Sequence, residues 1–421
     1  MTEPTTIFIS AGEASGEHYG ALLTAALRRR LQRAGTEAHF IGMGGVRMEA
    51  AGLERIVRAE DVAVMGLTEV VRHLPGIYRE FRKLKRAIRE RRPAVAVLID
   101  SPEMHLRLAR LFHRLDIPVI YFVSPQLWAW KKHRIRLVRE YVRRMLVIFP
   151  FEEPFYRERG VEAEFVGHPL ADLPLPAVGR EQFAAENDLD VTATWIGLLP
   201  GSRPREIAVH MPEMLEAARA LVRAEKKEPQ EPPRDFQFLV PLAPTLSAEQ
   251  RERVAALIHR SATGLTVRLT DDARATLSHA RVSLVASGTA TVEAALIGNP
   301  FVVVYRVSPL TYAIARRVVK VPHVAMPNLI AGRRLVPELI QNDFTTANSV
   351  QWIRRLLPDG PDRQSMMQGL AAVQEALRTH PTGERDQGGY AIERVAEVVL
   401  QTLEASRRGT SRPAAQFSIS L

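Results

Sequence analysis

The chain has 421 residues, 46% of them hydrophobic, which is enough for two domains of about 200 residues with full cores. It contains no cysteine, which excludes disulfides, thiolate zinc sites and cysteine nucleophiles and fits a reducing cytoplasm. The net charge is +10, and residues 1–170 hold 28 lysines and arginines against 20 acidic residues. This basic half predicts an anionic partner: nucleic acid, an anionic membrane surface or a phosphorylated substrate. The alternative is that its basic clusters, Arg79–Arg92 and Lys131–Arg144, are solvated helix faces. No apolar run approaches the roughly 18 residues of a membrane span, and no signal peptide is evident.

Short Val/Ile-rich segments alternate with helical patterns, as in a parallel sheet covered on both faces. In the first half the predicted strands are Thr5–Ser10, Ala38–Ile41, Val95–Ile99, Val119–Val123, Met145–Phe149 and Glu164–Val166. In the second half they are Trp195–Leu199, Phe236–Val240, Thr266–Leu269, Val282–Ala286 and Phe301–Val304. The pattern predicts an α/β fold of two doubly wound, Rossmann-like domains facing a cleft.

A Pro-rich segment at Asp172–Gly179 interrupts this pattern and reads as a linker. We therefore expect one domain over residues 1–175, a second over 176–350, C-terminal helices over 351–405, and a disordered tail over 406–421. Ligands of such sheets bind at the carboxyl ends of the strands, so the loops after strands are the ones to inspect.

The first two of these loops are rich in small residues. Ser10–Gly16 (SAGEASG) suits close approach of a ligand, but it lacks the GxGxxG of a dinucleotide site. Gly42–Gly45 is equally unspecific.

An apolar stripe with helical spacing follows at Met65–Tyr78, although Pro75 is expected to interrupt that helix. The basic segment Arg79–Arg92 comes directly after it. The pair is typical either of a helix that touches membrane or binds an acyl chain, or of one more core-facing helix.

Asp100 ends a buried strand, and Pro102 forces the chain to turn. A carboxylate at a strand end is a candidate general base. The alternative is that Asp100 caps the following helix. Glu103 stands at first-turn spacing, where it would compensate the helix dipole.

Two of the four tryptophans, Trp128 and Trp130, lie in one loop just before a basic run. Aromatic side chains beside cations can contact a sugar face, a lipid interface or nucleic-acid bases. Core packing is the alternative.

The segment Val282–Leu296 (VSLVASGTATVEAAL) predicts a strand, a tight turn and a helix with Glu293 in its first turn. The N–H groups of such a helix start bind phosphate, and Glu293 can accept hydrogen bonds from ribose hydroxyls. An ordinary capped βα turn is the alternative. Arg203, in Leu199–Arg203 (LPGSR), is placed to clamp the same phosphate, and Asn328 is a further polar contact.

Two other patterns are interpreted as unrelated to metal binding. Asp188-Leu189-Asp190 has the DxD form but precedes a strand, so it is assigned to the surface. The twelve histidines show no pair at metal-ligand spacing with carboxylates nearby, so no metal site and no cofactor are predicted.

Taken in order, the motifs closely resemble the lipid-A-disaccharide synthase family, which are inverting glycosyltransferases of the GT-B type. The matching segments are AGEASG (11–16), MGLTE (65–69), IDSP (99–102), VSPQLWAW (123–130), PFE (150–152), VGHPL (166–170), LPGSR (199–203), SGTATVE (287–293) and PNLIAG (327–332). Most are weak singly, but the ordered set is specific and covers residues 5–345.

The resemblance implies a transfer from UDP-2,3-diacylglucosamine to 2,3-diacylglucosamine 1-phosphate, which yields lipid A disaccharide 1-phosphate and UDP. It implies a homodimer bound peripherally to the inner face of the Gram-negative inner membrane, with no nucleic acid as partner. Asp100 would be the general base, and no metal would be needed. Donor binding falls on Ser15, Gly16, Arg203, Ser287, Gly288, Thr289, Ala290, Glu293 and Asn328. Acceptor or membrane contact falls on Met65, Leu67, Val70, Val71, Leu74, Trp128 and Trp130.

The chain departs from the family at three positions. Glu17 stands where the family usually has aspartate, and Glu103 and His105 replace an aspartate and an asparagine beside the expected base.

Three other functions compete with this interpretation. One is another UDP-amino-sugar GT-B enzyme, such as a peptidoglycan glycosyltransferase or a UDP-sugar epimerase. A nucleic-acid-binding protein using the basic half would bind with a steep salt dependence. A dinucleotide-dependent oxidoreductase is disfavoured because no GxGxxG follows the first strand.

Overall fold

Two parallel β-sheets organise the chain in the computed structural model, which describes residues 5–62, 67–130, 132–228, 234–319, 321–379 and 390–408. The chain forms two units. The first ends at Asp172 and resumes at Thr379, and the second spans Leu173–Arg378. The change of unit thus falls inside the Pro-rich segment expected to be a linker.

The first unit contains a seven-stranded parallel sheet in the order β3-β2-β1-β4-β5-β6-β7. Its strands are β1 (Thr5–Ala11), β2 (Ala38–Gly44), β3 (Leu53–Arg58), β4 (Val95–Ile99), β5 (Val119–Phe122), β6 (Arg144–Val147) and β7 (Ala163–Phe165). The helices are α1 (Ala14–Arg33), α2 (Val46–Ala50), α3 (Ala59–Val62), α4 (Leu67–Arg91), α5 (Pro102–Arg114), α6 (Ile135–Tyr141) and α7 (Glu152–Arg157). The strand order reverses between β1 and β4, as in doubly wound nucleotide-binding folds.

The second unit contains a six-stranded parallel sheet in the order β10-β9-β8-β11-β12-β13. Its strands are β8 (Thr194–Leu199), β9 (Phe236–Pro241), β10 (Val267–Thr270), β11 (Val282–Ala286), β12 (Phe301–Tyr305) and β13 (Glu338–Ile340). The helices are α8 (Arg180–Glu186), α9 (Pro204–Lys227), α10 (Ala248–Ser261), α11 (Ala273–His279), α12 (Thr289–Ile297), α13 (Pro309–Val318), α14 (Met326–Ala331), α15 (Thr346–Leu356) and α16 (Pro361–Ala376). The direction in which successive strands are added to the sheet reverses between β8 and β11. Each unit therefore has one such reversal, called its switch point.

The strands at the switch points lie in the cores. Every residue of β4 and of β11 is buried. Because helices cover both faces of these sheets, the central strands read as continuous apolar runs, which confirms the predicted α/β fold.

Three elements differ from the sequence predictions. The edge strand β3 was missed because it mixes apolar with charged residues, and the edge strand β13 was missed as well. Helix α4 is continuous from Leu67 to Arg91 with Pro75 inside it, so the expected interruption is wrong. Proline costs a helix one backbone hydrogen bond, a loss that the 25-residue α4 tolerates.

The helices near the C-terminus do not form one group. Helices α15 and α16 belong to the second unit, whereas the last helix, α17 (Tyr390–Arg407), belongs to the first. Glu393 of α17 bonds Arg29 and Arg30 of α1 at 2.9 and 2.7 Å. The backbone N–H of Ala391 donates to Asp172 at 2.9 Å. Helix α17 therefore completes a unit whose other elements are formed by the first 172 residues.

Candidate active site

Each switch point brings two loops together at the carboxyl edge of its sheet. In the first unit, Ala11 of β1 pairs with Ile99 of β4, so the loops beginning at Gly12 and Asp100 are neighbours. In the second unit, Leu199 of β8 pairs with Val285 of β11, which brings the loops after Leu199 and Ala286 together. Asp100 and Ser287 lie in these loops, and Ser15 and Arg203 lie at the starts of the helices that follow them.

The backbone of Asp100 is held in an unusual conformation. Asp100 and Ser101 both have positive φ angles, 54° and 47°, a region that aspartate tolerates better than most residues. The Asp100 N–H donates to the Phe122 carbonyl at 3.1 Å. Its carbonyl oxygen accepts from the Tyr121 hydroxyl at 2.5 Å and from His105 at 2.7 Å. These bonds fix the backbone from which the carboxyl group projects.

The Asp100 carboxyl group is suited to proton transfer at neutral pH. Burial and the nearby charge of Glu13 raise its pKa to about 7, against an opposing hydrogen bond from the Ser101 backbone. A carboxyl group with such a pKa is a candidate general base. The N-cap position of α5 is occupied by Ser101, whose side chain makes no capping bond. The alternative role for Asp100 as helix cap therefore has no support in the geometry.

His105 connects Asp100 to β1. The ring is fully buried, and burial lowers its pKa to about 4, so it is neutral at physiological pH. Its Nδ1 lies 2.7 Å from the Asp100 carbonyl oxygen, which can only accept, so Nδ1 carries the proton. Nε2 then accepts from the Ser10 hydroxyl at 2.8 Å. In the sequence, His105 is marked only by its departure from the family pattern, and nothing there indicates its contact with Asp100.

The loop after β1 packs tightly against the Asp100 loop. A side chain at Gly12 would place its Cβ only 2.4 Å from the Ser101 hydroxyl, so only glycine permits this approach. Ser15 and Gly16 lie in the first turn of α1, immediately after this loop. Glu17, one of the family departures, accepts from the Arg47 N–H at 2.9 Å and thereby satisfies a backbone donor in the first turn of α2.

The tryptophan loop follows β5, the strand next to β4. The Trp128 indole N–H donates to Glu152 at 3.0 Å, and the Ser124 hydroxyl donates to the same oxygen at 2.6 Å. Glu152 is buried, and burial raises its pKa to about 7. The Trp128 N–H is thus engaged inside the protein, whereas Trp130 is exposed. No role was predicted for Glu152, and its place in the segment PFE was the only signal for it in the sequence.

In the second unit, the loop after β11 offers open backbone donors. Ser287 donates its own N–H to Val304 at 3.0 Å, and α12 begins at Thr289 with no side-chain cap. None of the described groups accepts from the N–H of Gly288, Thr289 or Ala290. Gly288 and Thr289 are exposed. The strand, turn and helix start predicted from the sequence are thus present, and an anion site at this helix start stays a prediction.

Glu293 does not lie in the first turn of α12, where it was expected. The helix begins at Thr289, so Glu293 is in its second turn and not in its first. Burial raises its pKa, opposed by the charge of Arg274. Within the described residues its carboxyl group has no hydrogen-bond partner, so it remains available to a ligand.

Arg203 occupies the N-cap position of α9, and its side chain is about half exposed. Glu206 accepts from the N–H groups of Ser202 and Arg203 at 3.1 and 3.4 Å, and it also lies 3.4 Å from the Arg203 guanidinium. A carboxylate of the protein thus occupies the backbone donors of this loop. The guanidinium of Arg203 is therefore the group of this loop that can bind an anion.

The amide of Asn328 is committed to the protein. Its oxygen accepts from the Leu335 and Val336 N–H groups, and its nitrogen donates to Val336 and Glu338, all within 2.9 Å. An asparagine amide has two donor hydrogens and two acceptor lone pairs, and all four are used. We therefore assign Asn328 to holding the segment before β13, and we remove it from the donor-binding residues predicted from the sequence.

Only part of the Met65–Tyr78 stripe, which is expected to contact the acceptor or the membrane, lies within the residues that the structure describes. Met65 lies outside the described residues. Leu67, Val70, Val71 and Leu74 stand on the helical backbone of α4, and their side chains are outside the description. In the described ranges no helix is long and apolar enough to cross a membrane.

The same described ranges contain no cluster of metal-binding side chains. Nowhere in them do three or more histidine, aspartate or glutamate side chains converge as metal ligands. In the DxD pattern, Asp188 is exposed and pairs with Arg268 at 2.6 Å, and Asp190 accepts from Thr192 at 2.7 Å. Both aspartates are thus part of a surface turn.

The fold places the chain in the GT-B class. A UDP-N-acetylglucosamine 2-epimerase from Neisseria meningitidis, solved with UDP-GlcNAc bound, is similar with a TM-score of 0.55 at 13% identity, over 95% of this chain and 99% of that one. CalG4, the calicheamicin glycosyltransferase, is similar with a TM-score of 0.53 at 19% identity, over 98% of this chain and 100% of that one.

Sequence comparison defines the family. Residues 7–387 match the family described as lipid-A-disaccharide synthetase. A lipid-A-disaccharide synthase from Acidobacterium capsulatum is 57% identical over 96% of this chain and 98% of its own length. One from Geobacter sulfurreducens is 40% identical over 96% and 99%. The chain belongs to the lipid-A-disaccharide synthase family, and it is therefore a glycosyltransferase of lipid A biosynthesis.

Proposed function

We propose that the enzyme transfers the diacylglucosamine unit of UDP-2,3-diacylglucosamine to the 6-hydroxyl of 2,3-diacylglucosamine 1-phosphate. The products are the β-1,6-linked disaccharide 1-phosphate and UDP. Family membership along almost the whole chain supports the choice of substrates. The observation that carries the chemistry is Asp100, a carboxyl group with a pKa near 7 held rigidly at a sheet switch point.

In the proposed reaction the Asp100 carboxylate accepts the proton of the acceptor hydroxyl. The hydroxyl oxygen forms a bond to C1 of the donor sugar while the bond from C1 to the UDP oxygen breaks on the opposite face, so the anomeric configuration inverts. Negative charge develops on the departing diphosphate. The open N–H groups of Gly288, Thr289 and Ala290 and the guanidinium of Arg203 are suited to stabilise it without a metal.

Glu293 is proposed to hold the ribose by accepting its hydroxyl hydrogens. The carboxyl group stands in the second turn, beyond the free N–H groups, so it does not compete with phosphate for them. Ser15 and Gly16, at the start of α1, are proposed as further donor contacts, and Trp130 as an acceptor contact.

The enzyme is further proposed to act as a homodimer on the cytoplasmic face of the inner membrane, through Met65, Leu67, Val70, Val71 and Leu74. Replacing Leu67, Val70 and Leu74 by serine should release it from membranes into the soluble fraction. If the variant stayed in the membrane fraction, the stripe would instead be assigned to the hydrophobic core.

Mass spectrometry of the product formed from the two diacylated sugars tests the reaction. We expect a disaccharide 1-phosphate, with UDP released only when the acceptor is present. Release of UDP without acceptor would favour an epimerase or hydrolase and contradict the proposal.

A further inference from the structure

Helix α13 turns an apolar face toward solvent. Leu310, Ile314 and Val318 are 73%, 54% and 45% exposed, and their four-residue spacing places them along one side of the helix. No residue of α13 is buried. A surface helix of a globular protein normally directs such a stripe at the core.

Helix α13 therefore has its apolar side toward solvent and not toward the core. Tyr312 and Ala315, on the other side of the helix, are its partly covered residues. The exposed apolar surface continues beyond the helix at Val319 and Val324. Of the fourteen exposed large hydrophobic side chains in the described ranges, five fall within residues 310–324. Such local clustering marks an interaction surface better than scattered single residues do.

Within the sequence segment that contains this stripe, the charged residues have one sign. Arg316 and Arg317 in the last turn of α13 are both exposed. No aspartate or glutamate occurs between Glu293 and Glu338, a stretch that contains six lysines and arginines, in a chain with 47 acidic residues overall. A partner surface for α13 should consequently be apolar and anionic together.

We propose that α13 is a membrane-docking helix of the second unit and lies flat on an anionic lipid surface. Leu310, Ile314 and Val318 enter the boundary between headgroups and acyl chains, and Arg316 and Arg317 bind lipid phosphates. This contact is additional to the Met65–Tyr78 stripe of the first unit. It is derived from α13 alone and does not depend on the proposed reaction.

Vesicle flotation with the full chain tests the proposal. One set of vesicles contains phosphatidylglycerol and phosphatidylethanolamine, and the other contains only phosphatidylcholine. The variant Leu310→Ser/Ile314→Ser/Val318→Ser should bind the anionic vesicles at least about tenfold more weakly than the parent protein. The matched control is Leu175→Ser/Val191→Ser/Met367→Ser, three exposed residues elsewhere in the same unit, and it should bind as the parent does.

A charge variant separates the two parts of the contact. Arg316→Gln/Arg317→Gln should lose about fivefold in affinity per arginine for anionic vesicles, with a weaker salt dependence, and show no change on neutral ones. All replaced side chains are exposed, so thermal unfolding should stay near that of the parent. Unchanged vesicle binding by the triple serine variant would overturn the proposal. The proposal would also be overturned if this variant lost self-association while its vesicle affinity stayed unchanged. The stripe would then bind a second copy of the chain.

Discussion

The loop after β4 and the loop after β11 hold the same position in two sheets of matching strand order, yet they carry opposite chemistry. The β4 loop presents Asp100, a partly desolvated carboxyl group whose backbone is held by His105 and Tyr121. The β11 loop presents no charged side chain, only the N–H groups of residues 288–290 at the start of α12.

The difference arises in the few residues that follow each strand. A helix start attracts negative charge, and at β11 small residues leave that start open. At β4 the corresponding space is occupied by a carboxyl group whose pKa is raised by burial and, to a lesser extent, by two acidic residues nearby. The position of each site is therefore set by the sheet, and its chemistry is set by the residues of the loop.

The largest effect is expected from the substitution Asp100→Asn, which tests the β4 side of this contrast. Removing the proton acceptor should lower kcat about 10²–10⁴-fold while the Kd for the UDP-sugar stays within about twofold. Steady-state kinetics and calorimetry measure the two quantities. The control is Asp116→Asn, an exposed aspartate that also has a positive φ angle. Full activity in Asp100→Asn would remove the base assignment.

The anion side is tested by Arg203→Gln. Loss of a charged hydrogen bond should weaken UDP binding about tenfold to a hundredfold. Arg223→Gln, near the other end of α9, should bind UDP normally. Equal Kd values for the two variants would show that the guanidinium at position 203 does not reach the diphosphate.

Glu293→Ala should distinguish ribose from phosphate recognition. We expect UDP affinity to fall about tenfold because the ribose hydroxyls lose their acceptor, while affinity for inorganic pyrophosphate is retained. Calorimetric titration with both ligands measures this ratio. A parallel loss for both ligands would place Glu293 in the structural support of α12.

The positioning of Asp100 is tested by two substitutions of His105. Asparagine can still donate from the place of Nδ1 to the Asp100 carbonyl, whereas glutamine can reach only toward Ser10. His105→Gln should therefore lower kcat about fivefold to tenfold with little change in KM, and His105→Asn should recover most of it. Equal activity at equal thermal stability would mean that the bond to Asp100 does not position the base.

The smallest effect concerns pH. A base must be deprotonated to act, so kcat/KM should fall as the pH drops below the Asp100 pKa of about 7. Glu13 contributes to this raised pKa, so Glu13→Gln should move the acidic limb of the profile to lower pH. The shift should be less than about one pH unit because Glu13 is exposed and solvent screens its charge. Glu103→Gln should shift it less, and a shift toward higher pH would contradict the electrostatic account.

Much of this contrast could be predicted from the sequence. Buried parallel strands such as β4 and β11 are continuous apolar runs, so their ends, and with them Asp100 and Ser287, were located correctly. The edge strand β3 was missed because its alternation includes Glu54, Arg55 and Arg58.

The partners of the site residues could not be predicted. The role of His105 depends on a 2.7 Å contact with a backbone carbonyl, and the Arg203 loop depends on Glu206 occupying its N–H groups. Asn328 looked like a ligand contact because no sequence pattern reveals that its four hydrogen bonds are already used. Such pairings are set by tertiary geometry, which one sequence without its fold does not contain.

Helix α17 has a consequence for the order of folding during synthesis. Its buried residues, among them Ile392, Val395 and Val399, belong to the unit formed by the first 172 residues. Chains grow from the N-terminus, so the ribosome must finish all of the second unit before this surface can be covered. We therefore expect the nascent first unit to remain open to chaperones until residues beyond 390 emerge.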